Sequence, residues 1–270
     1  MGRVPEIQNG QHCHLLVGSG RLARHLKHYF HLKNIPTVSW SRNRDPDFNS
    51  ISPAEIPNNK ERLLTSLKQC QYVWLLIQDK EIATFVETHP EVTTRQVIHC
   101  SGSLVIPGTL SFHPLMTFAG ELYTEEFYER ILFVGEEGQP SLDCICPNLS
   151  NPYAEIEPRL KPLYHALCVA SSNFTVVLWQ QVLLEFSRLG IDWQNLIPYL
   201  QQTTENLVKD PLSALTGPLA RGDSQTIQKN LSALRGRPLG PIYEAFVQLH
   251  SPKMSPAVRS PSPGGPDVHA

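Results

Sequence analysis

The sequence predicts an α/β protein, a doubly wound parallel sheet followed by an all-helical domain. Three observations carry this expectation. Short apolar runs alternate with amphipathic segments through the first half of the chain. The first of these runs, Leu15-Leu16-Val17, passes directly into a Gly18-x-Gly20-x-x-Ala23 turn. From about residue 158 onward, apolar residues recur at helical spacing and no strand-like run returns.

Taken in order, residues 13–17 read as a strand. A helix follows over 20–33, with Leu22, Leu26, Tyr29 and Phe30 at helical spacing. Residues 36–40 read as the second strand, and 43–59, rich in Asn, Asp, Ser and Pro, as a loop. A short helix is expected over 60–68, a buried strand over 72–77, a helix over 80–88 with Asp79 as its cap, and a strand over 96–100. Residues 110–113 suit a short strand, and 131–134 close the series. The Pro- and Asn-containing stretch 147–158 marks a domain boundary. One long helix is then expected over 160–189, stopped by Gly190; Asp192 caps a second to about 208, Asp223 a third to about 234, and 241–250 form a fourth. The division is therefore an N-terminal extension 1–11, a dinucleotide-binding domain 12–157, a helical domain 158–250, and a Pro/Ser/Gly-rich tail 251–270 expected to be disordered.

The 270 residues carry a net charge of -2, so no general pull toward nucleic acid or anionic membrane is implied. No apolar run reaching the roughly 20 residues of a membrane span is expected, nor a secretory signal in MGRVPEIQNGQHC. The six cysteines are scattered; Cys144-x-Cys146 lacks the spacing of zinc or redox motifs, which points to buried free thiols in a cytoplasmic setting. His12-Cys13-His14 alternates across a strand and finds no matching ligand set, so no metal is expected there.

The glycine turn has a phosphate-binding logic. Gly18 permits the turn, Gly20 lets a pyrophosphate approach the backbone, and Ala23 lets the helix pack closely on the strand. Free N–H groups at Ser19, Arg21 and Leu22 complete the expected cradle. The acid that usually holds the ribose 2′-hydroxyl after strand two is missing. Ser41 and Arg42, with Arg44 nearby, stand there instead and suit a 2′-phosphate, favouring NADP over NAD.

Later motifs add specificity: HCSGSL at 99–104, SFHPLMTF at 111–118, KPLYHALCVASSN at 161–173 and LTGPLARGD at 215–223. With GSGRLA and WSR, they closely resemble a family of NADP-dependent oxidoreductases with a Rossmann-like N-terminal domain and a helical C-terminal domain of unknown function. The family is similar, more distantly, to pyrroline-5-carboxylate reductase, ketopantoate reductase and the 6-phosphogluconate and hydroxyacid dehydrogenases. The resemblance covers residues 12 to about 250. It implies a site beyond the carboxyl ends of the strands and a homodimer built on the helical domain. In the related dehydrogenases the long helix carries Lys followed four residues later by Asn; here Lys161 is followed by His165. Gln78 also departs from the Pro often found before the acid at that strand end.

The expected site residues follow. Lys161 or His165 is the general acid, with Asn173 completing the catalytic set; each also has a bland reading as part of an interhelical polar network. Ser101, His113, Thr216 and Arg221 are expected to bind substrate, and Ser101 and Gly102 to lie near the nicotinamide as well. Cys100 reads as a small strand-end residue, not a nucleophile. The Arg221-Gly222-Asp223 string reads as a turn and helix cap, not an adhesion signal. Two function classes result. One is a reductase of a C=O or C=N group in a small anionic substrate, using NADPH or, less simply, a deazaflavin. The other is a non-catalytic NADP-binding sensor or scaffold. No metal and no nucleic-acid or membrane partner is expected.

Overall fold

The computed structural model describes residues 12–52 and 54–250; the extension 1–11 and the tail 251–270 lie outside the described residues. Seven strands form one sheet: β1 (His14–Val17), β2 (Thr37–Trp40), β3 (Tyr72–Leu75), β4 (Gln96–His99), β5 (Leu110–Pro114), β6 (Phe133–Glu136) and β7 (Tyr153–Ile156), in the order β2-β1-β3-β4-β5-β6-β7. All neighbours are parallel except β5 and β6.

Alternation of side chains sends residues to two faces. Leu16, Trp74, Ile98, Phe112 and Phe133 pack with α1 (Arg21–Leu32), α4 (Glu125–Glu129) and α5 (Leu142–Ile145). Leu15, Val17, Val73, Leu75 and Val97 pack on the other face with α2 (Asn59–Leu67) and α3 (Asp79–Thr88). Helices on both faces of a mostly parallel sheet are the expected doubly wound architecture.

Three local expectations are corrected. Asp79 is the first residue of α3, not its cap; Gln78 holds that place without a side-chain bond. β7 lies within the stretch read as a linker, pairing in parallel with β6 from Phe133↔Tyr153 to Glu136↔Ile156. Its sequence, YAEI, is a half-buried edge strand with no apolar run to betray it. The chain divides into compact units at 172/173 rather than at 157/158, so α6 (Lys161–Cys168) belongs with the sheet.

The helix expected over 160–189 is α6, a π-helical turn over Val169–Asn173, and α7 (Phe174–Arg188). The helical run Pro158–Arg188 is 31 residues and, by length and composition alone, could cross a membrane. This corrects the expectation that no such run exists: Ser, Asn and Gln interrupt the apolar residues, but 162–184 holds no Asp, Glu, Lys or Arg. The helical unit continues with α8 (Ile197–Lys209), α9 (Gly217–Arg221), α10 (Ser224–Ala233) and α11 (Leu239–His250). Asp223 caps α10, accepting from Thr226 N at 3.0 Å, and Gly222 closes α9 at φ 66°.

Candidate active site

The β1–α1 turn is built as its sequence requires. Gly18 has φ +121°, and a Cβ there would lie 2.3 Å from the Leu76 carbonyl oxygen. Gly20 is the reverse: a Cβ would meet nothing within 4 Å. Gly20 is also the cap residue of α1, which has no side-chain cap and no acid in its first turn. The amides of the first turn therefore face an open cradle suited to a pyrophosphate. Arg21 is exposed beside it and Leu22 half-buried, while the Ser19 carbonyl accepts from Arg24 Nε at 3.2 Å.

After β2, Ser41 is 2% exposed and its Oγ has no partner among the described residues. Arg42 is exposed, and its carbonyl accepts from Asn59 Nδ2 at 3.2 Å. Asp45, the first acid after the strand, is occupied by an ion pair with Arg24 and by the amides of Asp47 and Phe48. Beneath Ser41 lies Arg62, 0% exposed, whose Nη2 donates to the Ser41 carbonyl at 3.5 Å and to Asn59 Oδ1. Its Nε has no partner, and among the described residues no carboxylate pairs with it. A hydroxyl and a guanidinium without an anion fit a phosphate monoester. Arg62 escaped the sequence reading because it sits in a charged LysGluArg run; its place one residue before buried Leu63 was the available signal.

A second cluster stands at the carboxyl ends of β3 to β5, the edge of the sheet that the β1–α1 turn also occupies. His99 ends β4, fully buried. Its Nδ1 accepts from the Ser101 amide at 3.2 Å, which leaves the proton of the neutral ring on Nε2, and that atom has no partner. Burial, then the Lys161 charge, holds His99 down to about 4. His113 on β5 bonds Tyr164 Oη through Nδ1 at 2.7 Å. Burial, His165 and Lys161 hold it down to about 4 as well. Burial pushes the Tyr164 phenol upward. His165 and His113 meet edge to face at 6.2 Å between centroids. A Cβ on Gly102 would lie 2.9 Å from His165 Nδ1 and 3.1 Å from His113 Nε2. The His165 Nδ1 is buried and unpartnered. Gly102 is thus a glycine because two imidazoles converge on it.

Lys161 is held in a buried ion pair. Only 3% exposed, its Nζ donates to Glu136 Oε1 at 2.6 Å and Ser111 Oγ at 2.7 Å, so two of its three protons are committed to a buried ion pair. Burial lowers the ammonium, and Glu136 opposes that shift. Ser101 is similarly engaged: its Oγ donates to Asp79 Oδ2 at 2.5 Å and accepts from the amides of Ser103 and Leu104 at 3.3 and 3.1 Å. That hydroxyl builds the β4 loop and is not free for substrate or nicotinamide. Burial raises the Cys100 thiol, consistent with a non-nucleophilic strand end. Asn173, Thr216 and Arg221 all belong to the helical unit and are exposed. Thr216 stands at the start of α9, a short helix where a loop was expected, and Arg221 at its end. Glu136, Ser111 and Tyr164 were not anticipated as parts of the cluster, and Asp79 was read first as a helix cap. Among the described residues no group of three or more His, Cys, Asp or Glu could hold a metal ion.

Residues 135–249 match the family model described as Domain of unknown function (DUF2520). No curated protein matches the chain. Among solved structures, it is similar to a candidate NADP oxidoreductase of Bacteroides fragilis, at 19% identity and TM-score 0.66 over 88% of this chain and 97% of that one. A Thermotoga maritima protein aligns at 23% identity and TM-score 0.63, covering 88% and 96%. Plasmodium falciparum pyrroline carboxylate reductase, solved with NADP bound, aligns at 12% identity and TM-score 0.54, covering 89% and 98%. These likenesses bear out the Rossmann-like fold with its helical C-terminal region.

Proposed function

We propose that this chain is an NADP(H)-dependent reductase of a C=O or C=N group in a small substrate. The observation that carries the reading is the convergence of His165 Nδ1 and His113 Nε2 on Gly102, on the sheet edge that holds the open glycine cradle. Ligands of open α/β sheets bind at that edge. Ser19, Gly20, Arg21 and Leu22 would receive the pyrophosphate, and Ser41, Arg42 and Arg62 the 2′-phosphate. When bound, NADPH supplies the hydride; a deazaflavin, which lacks the 2′-phosphate, would leave the Ser41 and Arg62 groups without a ligand.

His165, with an unpartnered ring nitrogen, is the group placed to exchange a proton with the reacting heteroatom. His113, fixed by Tyr164, orients it. Lys161 braces the strand ends through Glu136 and Ser111. The large apolar side chains of α6 and α7 (Leu163, Leu167, Phe174, Val177, Leu184) stand exposed in the single chain, which supports a homodimer through the helical region. Free cysteines throughout the described residues fit a cytoplasmic setting.

The sensor reading has one observation in its favour: the lysine expected to donate the proton is closed off. NADPH titration followed by a carbonyl and imine screen separates the two. His165→Ala should abolish turnover and leave NADPH affinity intact; unchanged turnover would remove His165 from the chemistry.

A further inference from the structure

Cys13 and Cys70 take no part in the site described above. Cys13 immediately precedes β1, and Cys70 lies in the turn between α2 and β3. Both therefore stand at the amino ends of the strands, the edge opposite the glycine cradle. Their Sγ atoms are 3.2 Å apart, although the residues are 57 positions apart in sequence. Both are buried in the apolar layer on the α2 and α3 face of the sheet. The backbone fixes the pair: Cys13 N donates to Gln71 Oε1 at 2.7 Å, and Gln71 N donates to the Cys13 carbonyl at 3.0 Å. Closing the gap to the roughly 2.0 Å of a disulfide is a movement of about 1 Å. The surroundings also set this pair apart from inert core cysteines. Burial raises the thiols of Cys100 and Cys146. Cys13 is instead lowered, because the Cys70 thiol donates to it, with smaller help from the backbone of His14 and Val38. Cys70, as the donor, is raised. His12, beside Cys13, and Arg95, whose charge acts on Cys70, are both exposed, so the two sulfurs sit just inside the surface.

We infer that Cys13 and Cys70 form an oxidisable dithiol, a site of reversible disulfide formation that ties the start of β1 to the turn before β3 when the chain meets hydrogen peroxide. The thiolate, not the thiol, is the nucleophile, so Cys13 reacts first. Its sulfur attacks one peroxide oxygen; an S–O bond forms, the O–O bond breaks, and hydroxide leaves and takes up a proton as water. Cys13 is then a sulfenic acid. Cys70 gives up its proton and its sulfur attacks that of Cys13; the S–S bond forms, the S–O bond breaks, and a second water leaves. Two thiols are oxidised by two electrons in all, and one peroxide is reduced to two waters. A dithiol or glutathione reverses the step by exchange. The loop this bond closes runs from 13 to 70 and holds the Gly18–Gly20 turn, Ser41 and Arg62. Cross-linking its ends removes freedom from the unfolded chain, and so stabilises the half of the sheet that carries the cradle without entering the cradle itself. In a reducing compartment such bonds are transient, and their formation reports an oxidant.

The test treats the full, folded and fully reduced chain with hydrogen peroxide, blocks the remaining thiols with iodoacetamide in denaturant, and digests with trypsin. Cleavage after Arg3, Arg21, Lys68 and Lys80 puts Cys13 in peptide 4–21 and Cys70 in peptide 69–80. Mass spectrometry should find these two joined, two hydrogens lighter than their sum, and dithiothreitol should separate them. The melting temperature of the undigested chain should rise by about 10 °C on oxidation and return on reduction. Cys70→Ala should give neither the joined peptides nor the rise, and its Cys13 should stop at the sulfenic acid, trapped by dimedone. The comparison of oxidised with reduced parent decides the matter even if that variant folds poorly. The inference is overturned if the joined peptides are absent from the folded parent, if they form only after unfolding in urea, if Cys13 or Cys70 joins another cysteine instead, or if the joined form melts within about 2 °C of the reduced one.

Discussion

Replacing Glu136 by Gln tests whether Lys161 is a strut or an acid. The ammonium is 3% exposed and bonded to Glu136 at 2.6 Å and to Ser111 at 2.7 Å. Gln preserves shape and an acceptor oxygen but leaves a buried positive charge uncompensated. Removing one member of such a pair costs about 3–5 kcal/mol, and the retained acceptor puts Glu136→Gln near the lower figure, about 3 kcal/mol. Lys161→Met strands a carboxylate that is 16% exposed and partly hydrated, so about 2 kcal/mol is expected. The double variant removes both charges and leaves a neutral amide beside Met, so it is expected within about 1 kcal/mol of the parent. The two sites therefore couple by about 5 kcal/mol, far above the few tenths expected of independent positions. Urea unfolding read by the fluorescence of the fully buried Trp74 measures each variant. If Glu136→Gln lies within about 0.5 kcal/mol of the parent, while Lys161→Met keeps full stability and loses turnover, the strut argument fails and Lys161 returns as the proton donor.

Three further outcomes are expected. Stability should fall as pH drops from about 6.5 to about 4, because the folded-state pKa values of His99 and His113 lie below the unfolded value and the unfolded chain binds more protons in that window. At pH 5 each contributes about 2 kcal/mol of loss, and His99→Gln should flatten the pH dependence seen by denaturant titration. Gly18→Ala, which combines a 2.3 Å approach to the Leu76 carbonyl with φ +121°, should destabilise by about 3 kcal/mol or more; Gly20→Ala should melt like the parent yet bind NADPH about tenfold more weakly, since only a ligand occupies its open side. Ser41→Ala should leave the melting temperature unchanged or slightly raised, as it removes an unpartnered buried hydroxyl, while weakening NADPH about tenfold and leaving NADH untouched; equal loss for both nucleotides would place the 2′-phosphate elsewhere.

The sheet was legible because its signals are local. Apolar runs in β1, β3 and β4, the Gly18 turn and the helical periodicity of α1 each lie within one stretch of chain. β7 was not legible: Tyr153, Ala154 and Ile156 are half-buried, and a strand held mainly by its pairing with β6 leaves little hydrophobic signature. The site divides along the same line. Gly102, His113 and His165 were marked by their motifs, and the structure brings those three together. Glu136 was invisible as the partner of Lys161, since the pair joins the end of a strand to the start of a helix 25 positions later through a contact that no spacing rule encodes. Arg62 was hidden in the same way, its meaning set by the absence of an acid near it in space.

Whether a polar residue in this chain belongs to the chemistry can be judged by what its bonding capacity has left over. Ser101 has spent its donor on Asp79 and accepts two amides, so its place in the HCSGSL motif reflects loop construction. Lys161 has spent two of three protons and its charge. Six buried side-chain atoms keep capacity without a partner among the described residues: Glu91 Oε1, Tyr153 Oη, and four more, His99 Nε2, His165 Nδ1, Ser41 Oγ and Arg62 Nε. Leaving a buried donor or acceptor unpaired costs about 1–3 kcal/mol. Two of these four atoms lie where the nucleotide's 2′-phosphate is proposed, and two lie in the cluster around Gly102 where the reacting double bond is proposed. A fold that only needed to be stable would gain by replacing them with apolar groups of the same shape. Their retention at both ends of one sheet edge is the physical argument that a ligand completes them.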